Sequence, residues 1–455
     1  MIYRIFSDKD TFITNFRRDN VAQTGSNVGS SEMLYLFRVA PVSTSLGEVS
    51  GSSARILAKF ELAGFSALTA STAAPSTGVS YRLRMKHVKH RKTLPASFDV
   101  ELFPVTTDWD EGRGVDVDNY ADKGVANWDK PKSNVFWTAA GGDFTGSLRA
   151  VAHFDKGDED LSINVTHIVN AWLTGGLPNY GFMVKMSSTL ETGNTDYFIK
   201  MFHGRETNFA GREPYLEASW DDSRKDDRNN FVYGYTGSLF LYNRVRGQLT
   251  DIPNVNPLTN VITVKIVDAS GTIKTVSGSH TGITGIYSAS FAIATASYSG
   301  STFSDVWFSG SLAFVTGTFI PTGNFSLETS RVSQYFVSMP NLKNQYEGDE
   351  VVRMNLFVRD RDYNPSVVLT GSSGPTGKVV TKAWYRVDND RTDEIVVPFG
   401  TGSVETTRLS YDRDGNYFGF YMSSLTRGCV YRIVYLLDID GQRQLVDNDF
   451  KFRVV

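Results

Sequence analysis

The residues best suited to chemistry lie in one stretch, TTDWDEGRGVDVDNYADKGVANWDKP, at positions 106–131. It holds seven acidic side chains, three glycines and two tryptophans, without a strand or helix pattern. Clustered carboxylates can bind a cation or act as a general acid and base, and exposed tryptophans can stack on sugar rings. The stretch therefore raises three hypotheses: a calcium site, a glycan-cleaving site and a glycan-binding surface.

The calcium hypothesis requires oxygen ligands at a regular spacing. In an EF-hand loop the ligands alternate, with a glycine at the sixth position and a glutamate at the twelfth. Counted from Asp116, these positions hold Ala121 and Asn127, so the EF-hand pattern is absent. Apart from an irregular calcium site, we expect no bound metal or cofactor. The irregular site would use the carboxylates of Asp108, Asp110, Asp116 and Asp118.

A glycan-cleaving site requires two carboxyl groups a few ångströms apart in a cleft. Asp108, Asp110 and Glu111 are close in sequence, but no pattern indicates a groove around them. Motifs for phosphate binding, dinucleotide binding and a serine nucleophile are absent from the chain. His87 and His90 are three apart on a strand-like run, which places them on opposite faces and disfavours zinc. We therefore predict a protein that is not an enzyme and has no catalytic residues.

Trp109, Trp128 and Trp137 are the candidate ligand-binding residues. An exposed, flat aromatic face suits the apolar side of a pyranose ring. The alternative is that these rings lie at the edge of a hydrophobic core. Both interpretations remain open at this point, and a glycan is one candidate partner.

The elements that must position these residues are short β-strands. Runs such as ARILAKFEL, SYRLRMKHV and SFDVELFPV have strand length and are bounded by Gly, Ser, Asn or Pro. One run, INVTHIVNAWLTGG, instead repeats apolar residues at the spacing of a helix face and ends in glycine. We predict a jelly-roll or β-sandwich with one short helix over residues 1–220. The helical residues are Val165, Ile168, Val169 and Trp172, followed by Gly175.

The charged segment DDSRKDDRNN divides the chain. Seven of its ten side chains are charged, which predicts a linker at 221–234. Beyond it, short alternating runs recur about every eight to twelve residues, the spacing of an Ig-like sandwich. We predict one Ig-like domain at 235–337 and a second at 338–455, with a hairpin turn at the DRDG of 412–415. The whole chain is thus predicted to be all-β.

Composition disfavours several classes of partner. The 46 basic and 49 acidic residues of the 455-residue chain give a net charge of −3, which provides no electrostatic attraction to nucleic acid or to an anionic membrane. No run of about eighteen apolar residues could span a bilayer. The start MIYRIFSDKDTFITNF lacks the basic flank and apolar core of a secretory signal, so we expect no signal peptide.

An ordered set of motifs in residues 1–220 resembles a known family. In order they are SDKDTFITN, ARILAKFEL, TTDWDEG with ANWDKP, INVTHIVNAWLTGGLPNYGFMVKM and REPYLEASW. This succession resembles the DNRLRE (disaggregatase-related) β-sandwich domain. The resemblance implies a binding or scaffold module, with no established catalytic residues to carry over. The chain departs from that family in the longer tract between Trp109 and Trp128 and in lacking a signal peptide.

A second resemblance concerns the middle of the chain. The segment GIYSASFAIATASYSGSTFSDVWFSGSLAFVTGTFIP resembles parts of Ig-like domains in structural proteins of tailed bacteriophages, especially large marine myophages. It implies a virion protein assembled in the host cytoplasm, which agrees with the missing signal and the single cysteine. The implied partners are other virion proteins of the head, neck or tail and copies of the same chain in a symmetric homo-oligomer. The alternative is a carbohydrate-binding surface or fibre module that uses the three tryptophans.

Overall fold

The computed structural model describes residues 1–18, 21–44, 47–49, 51–70, 74–75, 78–91, 94, 96–117, 124–253, 261–294, 301–323, 335–361, 377–402, 404–439 and 441–455. These residues divide into two compact units. Regular structure in both is mostly β-strand, which confirms the predicted all-β class. The N-terminal unit comprises Tyr3–Ala67 and Val79–Ser219, and the C-terminal unit comprises Trp220–Val455 with Met1–Ile2 and Leu68–Gly78.

The described part of residues 1–219 forms short strands and three short helices. The strands are β1 Ile2–Phe6, β2 Lys9–Thr14, β3 Arg17–Arg18, β4 Val21–Ala22, β5 Met33–Val39, β6 Val42–Thr44, β7 Gly47–Val49, β8 Ser52–Lys59, β9 Ser80–Met85, β10 Phe98–Pro104, β11 Ala150–Phe154, β12 Leu161–Asn164, β13 Phe182–Met186, β14 Tyr197–His203 and β15 Tyr215–Ser219. The helices are α1 Ala63–Ala70, α2 Thr166–Leu173 and α3 Ser188–Thr192.

Two larger sheets build the N-terminal unit. One has the strand order β1-β15-β9-β12, and the other has the order β11-β10-β13-β8-β5-β14, with β2 also paired to β8. Along β9, Tyr81, Leu83 and Met85 are buried, whereas the arginines between them are not. This alternation gives β9 one core face and one polar face, as in a strand of a β-sandwich.

The predicted amphipathic helix is confirmed as α2. Ile168, Val169 and Trp172 are buried on its inner face, and Gly175 follows the helix with a φ of +75°. Glycine suits that left-handed conformation because it has no Cβ. The sequence does not predict α1 or α3, because α1 buries only Phe65 and α3 buries no residue, so neither repeats an apolar stripe. None of the described helices combines the length and apolarity needed to cross a membrane.

Residues 220–455 continue the strand-rich pattern. The strands are β16 Thr236–Tyr242, β17 Arg244–Val245, β18 Gln248–Leu249, β19 Val261–Asp268, β20 Gly271–His280, β21 Ile286–Ala292, β22 Phe303–Ser309, β23 Leu312–Phe319, β24 Tyr335–Ser338, β25 Gln345–Tyr346, β26 Val351–Asp360, β27 Lys382–Asn389, β28 Ile395–Val397, β29 Ser410–Asp412, β30 Gly415–Tyr421, β31 Val430–Ile439 and β32 Gln442–Val454. Short 3-10 helices cover Asp227–Asn229 and Met422–Ser424.

The C-terminal unit contains two hydrophobic cores. The sheet β16-β21-β20-β19-β22-β23 surrounds the first, which includes Phe303, Trp307 and Phe319. The sheets β24-β26-β30-β29 and β25-β32-β31-β27-β28 enclose the second, where the rings of Tyr385 and Phe418 stack with centroids 4.0 Å apart. Aromatic side chains supply much of the buried area in both cores. The two Ig-like domains with boundaries at 235–337 and 338–455 stay predictions.

Residues 221–230, the charged part of the linker predicted at 221–234, pack within the C-terminal unit. The Asp226 amide donates a hydrogen bond to the Tyr411 carbonyl at 3.1 Å. The Arg228 guanidinium forms a bidentate ion pair with Asp305, which is buried. The segment is therefore part of the packed structure rather than a solvated linker. The composition of the segment shows that it is charged. It does not show that residues elsewhere in the chain supply the opposite charges.

Candidate functional site

Two of the predicted tryptophans lie in the core of the N-terminal unit. Trp109 is 0% exposed and donates through Nε1 to the Tyr180 carbonyl at 2.8 Å. Trp137 is 5% exposed and donates through Nε1 to the Asn127 carbonyl, also at 2.8 Å. Neither ring has a face that a sugar could reach, so burial corrects the ligand-binding hypothesis for both. Their cluster also contains Ile13, Leu57, Val105, Ala126 and Met183.

Trp128 is half-buried and packs against the same cluster. The guanidinium carbon of Arg55 lies 5.1 Å from the centre of its ring, within the range of a cation–π contact. Arg55 is itself held by Glu191 at 2.8 Å and by the Gly141 carbonyl at 2.7 Å. A cation of the protein therefore covers one face of Trp128. The three rings do not form an exposed platform for a glycan.

The acids of the calcium hypothesis are not arranged as a metal site in the part of the chain described. Lys132 donates to Asp108 at 2.8 Å, and Lys9 lies 3.6 Å from the same carboxylate. Burial alone would raise the pKa of Asp108, but the Lys132 hydrogen bond and the Lys9 charge hold that pKa below its ordinary value. Among described residues, no group of three or more His, Cys, Asp or Glu side chains could hold a metal ion. Of the others, Asp110 and Asp116 are exposed, and Asp118 lies outside the described residues.

Glu111 pairs with Asp10 of β2 rather than with its neighbour Asp110. The Asp10 amide donates to Glu111 Oε1 at 2.7 Å. Arg205 joins both acids, because its amide donates to Asp10 Oδ2 at 2.8 Å and its Nη2 donates to Glu111 Oε2 at 3.0 Å. Sequence gives no signal of this cluster, since its members are far apart along the chain and meet only through sheet packing.

Asp10 has an unusual protonation behaviour. It is 1% exposed, and burial raises the pKa of its carboxyl group to about 7 against the opposing hydrogen bond from the Arg205 amide. Asp10 Oδ1 finds no hydrogen-bond partner among the described residues. A raised carboxyl pKa is a property of general acids, but a general acid must also reach a substrate. Asp10 therefore has the raised pKa of a general acid, but it is shielded from solvent, so a substrate could not reach its carboxyl group.

The Asn27 side chain fixes the backbone conformation of the acidic stretch through hydrogen bonds. Its Nδ2 donates to the carbonyls of Glu111 at 2.7 Å and Ala126 at 2.8 Å. Its Oδ1 accepts from the amides of Gly29 at 3.1 Å and Gly114 at 3.0 Å. A Cβ on Gly114 would lie 1.6 Å from the Asn27 carbonyl oxygen, so only glycine fits there. Gly114 thus allows the backbone of the stretch to approach the backbone of Asn27 closely.

A buried lysine lies beside the histidine pair. The His87 and His90 rings are 5.7 Å apart, not on opposite faces, because β9 ends before them. Lys200 Nζ lies 3.1 Å from His87 Nδ1 and donates to the carbonyls of Gly157 and Glu159 at 2.7 and 2.6 Å. Burial lowers the pKa of Lys200 to about 8, and burial together with the Lys200 charge lowers the pKa of His87 to about 4. A cation at this point disfavours a metal ion on the histidines.

The C-terminal unit contains a cleft of about 450 Å³. Its floor is the face of β26 that carries Arg353 and Asn355. Arg244 of β17, Pro340 and the hairpin between β29 and β30 also line it. The sequence predicts the turn of this hairpin at 412–415, and the structure confirms it, with Asp412 opposite Gly415. No local pattern could predict the cleft, because β17 and β26 are more than a hundred residues apart.

Neighbouring side chains hold the polar groups of this cleft in place. The Arg353 guanidinium carbon lies 3.5 Å from the centre of the Tyr417 ring, and Arg353 Nη2 donates to Asp412 Oδ2 at 2.8 Å. The Asp414 amide donates to the other oxygen of Asp412 at 2.9 Å. The hydroxyls of Tyr417 and Tyr242 lie 3.3 Å apart. The cleft therefore presents planar polar groups in fixed orientations, which is what a specific binding site needs.

Comparisons with known proteins leave the family of the chain open. No protein-family model matches the sequence, and no curated protein matches it. Trypsin-activated alpha-2-macroglobulin from Escherichia coli is 8% identical over 99% of this chain and 30% of its own, with a TM-score of 0.17. Dimeric latent PorU from Porphyromonas gingivalis is 11% identical over 99% of this chain and 34% of its own, with a TM-score of 0.18.

A third solved structure, the BSP domain of a biofilm associated protein, is 9% identical over 95% of this chain and 68% of its own, with a TM-score of 0.17. This chain spans about a third of the first two proteins. Similarities at these TM-scores carry no argument about fold or function. The resemblances to the DNRLRE domain and to phage Ig-like domains stay predictions.

Proposed function

We propose that the protein is a non-enzymatic structural protein of a tailed-phage virion, associated with the head, neck or tail, and that it acts through protein–protein contacts. The phage context is supported by the sequence resemblance of residues 285–321 to Ig-like domains of tailed-phage structural proteins. The structural role is supported by one observation above others. Trp109 and Asp108 of the acidic stretch, which could do chemistry, instead make hydrogen bonds within the N-terminal unit.

The C-terminal unit has the construction of a stiff connector. Asp305 is buried between Arg228, which binds it with two nitrogens, and Trp307, whose Nε1 donates to it at 2.7 Å. The Tyr411 hydroxyl donates to Asp227 at 2.8 Å and ties the same segment to the second core. The first contact holds the segment to the first core and the second contact holds it to the second core, so together they resist bending of one core against the other. A stiff unit suits a protein that spaces or braces its neighbours in an assembly.

Exposed apolar side chains offer contact surfaces for such neighbours. β23 is an edge strand of its sheet, and Leu312 at its start is 63% exposed. Ile320 just beyond its end is 53% exposed. An edge strand has unpaired backbone groups that a partner strand can bind, and adjacent apolar side chains add area. We propose other virion proteins and further copies of the chain as the partners.

The test is quantitative mass spectrometry of purified particles. The expected result is a fixed copy number per particle, referenced to the major capsid protein and unchanged by a high-salt wash. A host cytoplasmic protein measured in the same sample gives the level of contamination. If the chain is absent from particles, or is removed by the wash together with that host protein, the proposal is wrong.

The alternative of a glycan-binding module with tryptophan platforms is not carried forward. Trp109 and Trp137 are buried, and Arg55 covers a face of Trp128. Binding of a sugar to Trp109 or Trp137 would require the core of the N-terminal unit to open.

A further inference from the structure

The cleft in the C-terminal unit has polar groups that the fold does not use. Arg353 engages Asp412 through Nη2 and Asn355 through Nε, but its Nη1 makes no hydrogen bond to a described residue. Among the described residues, the Arg244 side chain makes one hydrogen bond, to the Gly247 carbonyl at 3.2 Å. The exposed Asp414 carboxylate has no hydrogen-bond or ion-pair partner among the described residues. Donors and acceptors thus remain available in the lining of one cavity.

The charges around the cleft cancel. Two arginines, Arg244 and Arg353, face two aspartates, Asp412 and Asp414, so the formal charge of the lining is zero. A neutral lining gives no electrostatic preference for a phosphate-rich or a strongly basic ligand. It favours a neutral ligand whose groups both donate and accept hydrogen bonds. Hydroxyl groups have this property.

The shape and stiffness of the cleft fit the same class of ligand. Its volume of about 450 Å³ falls in the range of small-molecule sites. Tyr417 beneath Arg353 and the Asp412 carboxylate beside it fix the plane of the guanidinium. A fixed planar group with several donors can bind adjacent hydroxyls without losing side-chain freedom. Pro340 and Phe357 supply apolar surface for the C–H face of a sugar ring.

We propose that this cleft binds a neutral saccharide. Arg353 and Asn355 donate hydrogen bonds to its hydroxyls from the floor, Asp414 accepts from them at the hairpin, and Arg244 binds them as well. The site is distinct from the three tryptophans. The proposal goes beyond the virion role and does not depend on it, since a glycan site of this kind serves any surface-exposed protein.

The test begins with the full chain on an array of neutral, sialylated and sulfated oligosaccharides, followed by calorimetric titration of the strongest neutral ligand. The variant Arg244→Ala/Asp414→Ala should bind that ligand at least about tenfold more weakly. Its melting temperature should stay close to that of the wild type, because both residues are exposed. The matched control is Arg391→Ala/Asp349→Ala, which removes the same two charges from exposed positions outside the cleft and should bind like the wild type.

Three results would overturn the proposal. They are no binding of any neutral saccharide up to millimolar concentration, binding of sialylated or sulfated saccharides only, and equal affinities of the two double variants. None of these results affects the particle measurement that tests the virion role. If the chain is found in particles but binds no saccharide on the array, the proposed structural function stands and the proposed glycan site is wrong.

Discussion

Asn27 and Asp10 are buried polar residues that organise the N-terminal unit in different ways. Asn27 donates to two carbonyls of the acidic stretch and accepts from the amides of Gly114, in the stretch, and Gly29, close to Asn27 in the chain, so its polar side-chain atoms replace water contacts that these backbone groups have lost. Asp10 satisfies the Arg205 amide but leaves one oxygen without a partner. Buried polar groups stabilise a fold when they are paired and destabilise it when they are not. Mutations at the two sites should therefore act in opposite directions.

Asn27→Ala should lower the free energy of unfolding by about 3 kcal/mol, because it leaves buried backbone groups without partners. Asn27→Asp keeps the acceptor but loses both donors, so it should also destabilise the unit. Asn194→Ala is the control, since Asn194 is exposed. Urea titration with circular dichroism measures the effect. Equal midpoints for Asn27→Ala and Asn194→Ala would show that the Asn27 network does not hold the stretch.

Asp10 should make stability depend on pH. Its pKa of about 7 in the folded unit lies above the ordinary value of 3.8, so between these values the folded chain holds a proton that the unfolded chain has released. The free energy of unfolding therefore falls as pH rises through this window, and the loss is complete above about pH 7. Asp10→Asn removes the titration. The wild type loses stability between about pH 5 and about pH 8, and the variant does not lose it through this group. The free energy of unfolding of Asp10→Asn minus that of the wild type should therefore increase by about 2 kcal/mol over this range.

The free energies of unfolding of Asp10→Asn and the wild type are measured by urea titration, and hydrogen exchange of peptides from β2 and β8 reports the unfolding. Asp8→Asn is the control, because Asp8 is exposed and close by in the chain. The prediction fails if Asp10→Asn and the wild type show the same change with pH.

At the scale of elements, the segment after β15 determines how the C-terminal unit is assembled. It bonds to β29 through Asp226 and Tyr411 and reaches into the first core through Arg228. The Arg228 guanidinium occupies the space beside Gly317, where a Cβ would lie 2.1 Å from its Nη1. A segment of high charge thus acts as a structural element because Asp227 and Arg228 have fixed partners in Tyr411 and Asp305.

Arg228→Ala should destabilise the C-terminal unit by about 3–5 kcal/mol, because it leaves the Asp305 carboxylate buried without its counter-charge. Arg228→Met/Asp305→Leu should recover most of this loss, since it removes both charges and keeps apolar volume. Lys225→Ala is the control. Lys225 is 39% exposed and 3.7 Å from Glu405, and such surface pairs contribute about 0–1 kcal/mol. Thermal unfolding of the three variants separates these outcomes, and equal losses for Arg228→Ala and Lys225→Ala would contradict the buried pair.

At the scale of the whole molecule, the C-terminal unit has two cores but is one compact unit. The Arg228–Asp305 pair and the Tyr411–Asp227 hydrogen bond hold the connecting segment to both. We therefore expect both cores to unfold together in the full chain. Hydrogen exchange at increasing urea should give the same midpoint for peptides from β22 and β31. Tyr411→Phe should separate the two midpoints, and separate midpoints in the wild type would contradict the coupling.

The sequence by itself determined the features that depend on local periodicity. Alternating apolar residues predict the strands, since successive side chains of a strand point to opposite faces, and the spacing of Ile168, Val169 and Trp172 predicts α2. The turn at 412–415 follows from its own residues. These features are local because a few neighbouring residues fix the backbone geometry without help from the rest of the chain.

Only the tertiary structure decided which side chains are buried and which groups meet. Trp109 fits both a sugar platform and a core residue until its neighbours are known, and Arg228 fits a solvated linker until Asp305 is placed beside it. The cleft at Arg244 and Arg353 depends on strands far apart in the chain. Burial and charge pairing are properties of three-dimensional neighbours, and composition and spacing do not contain them.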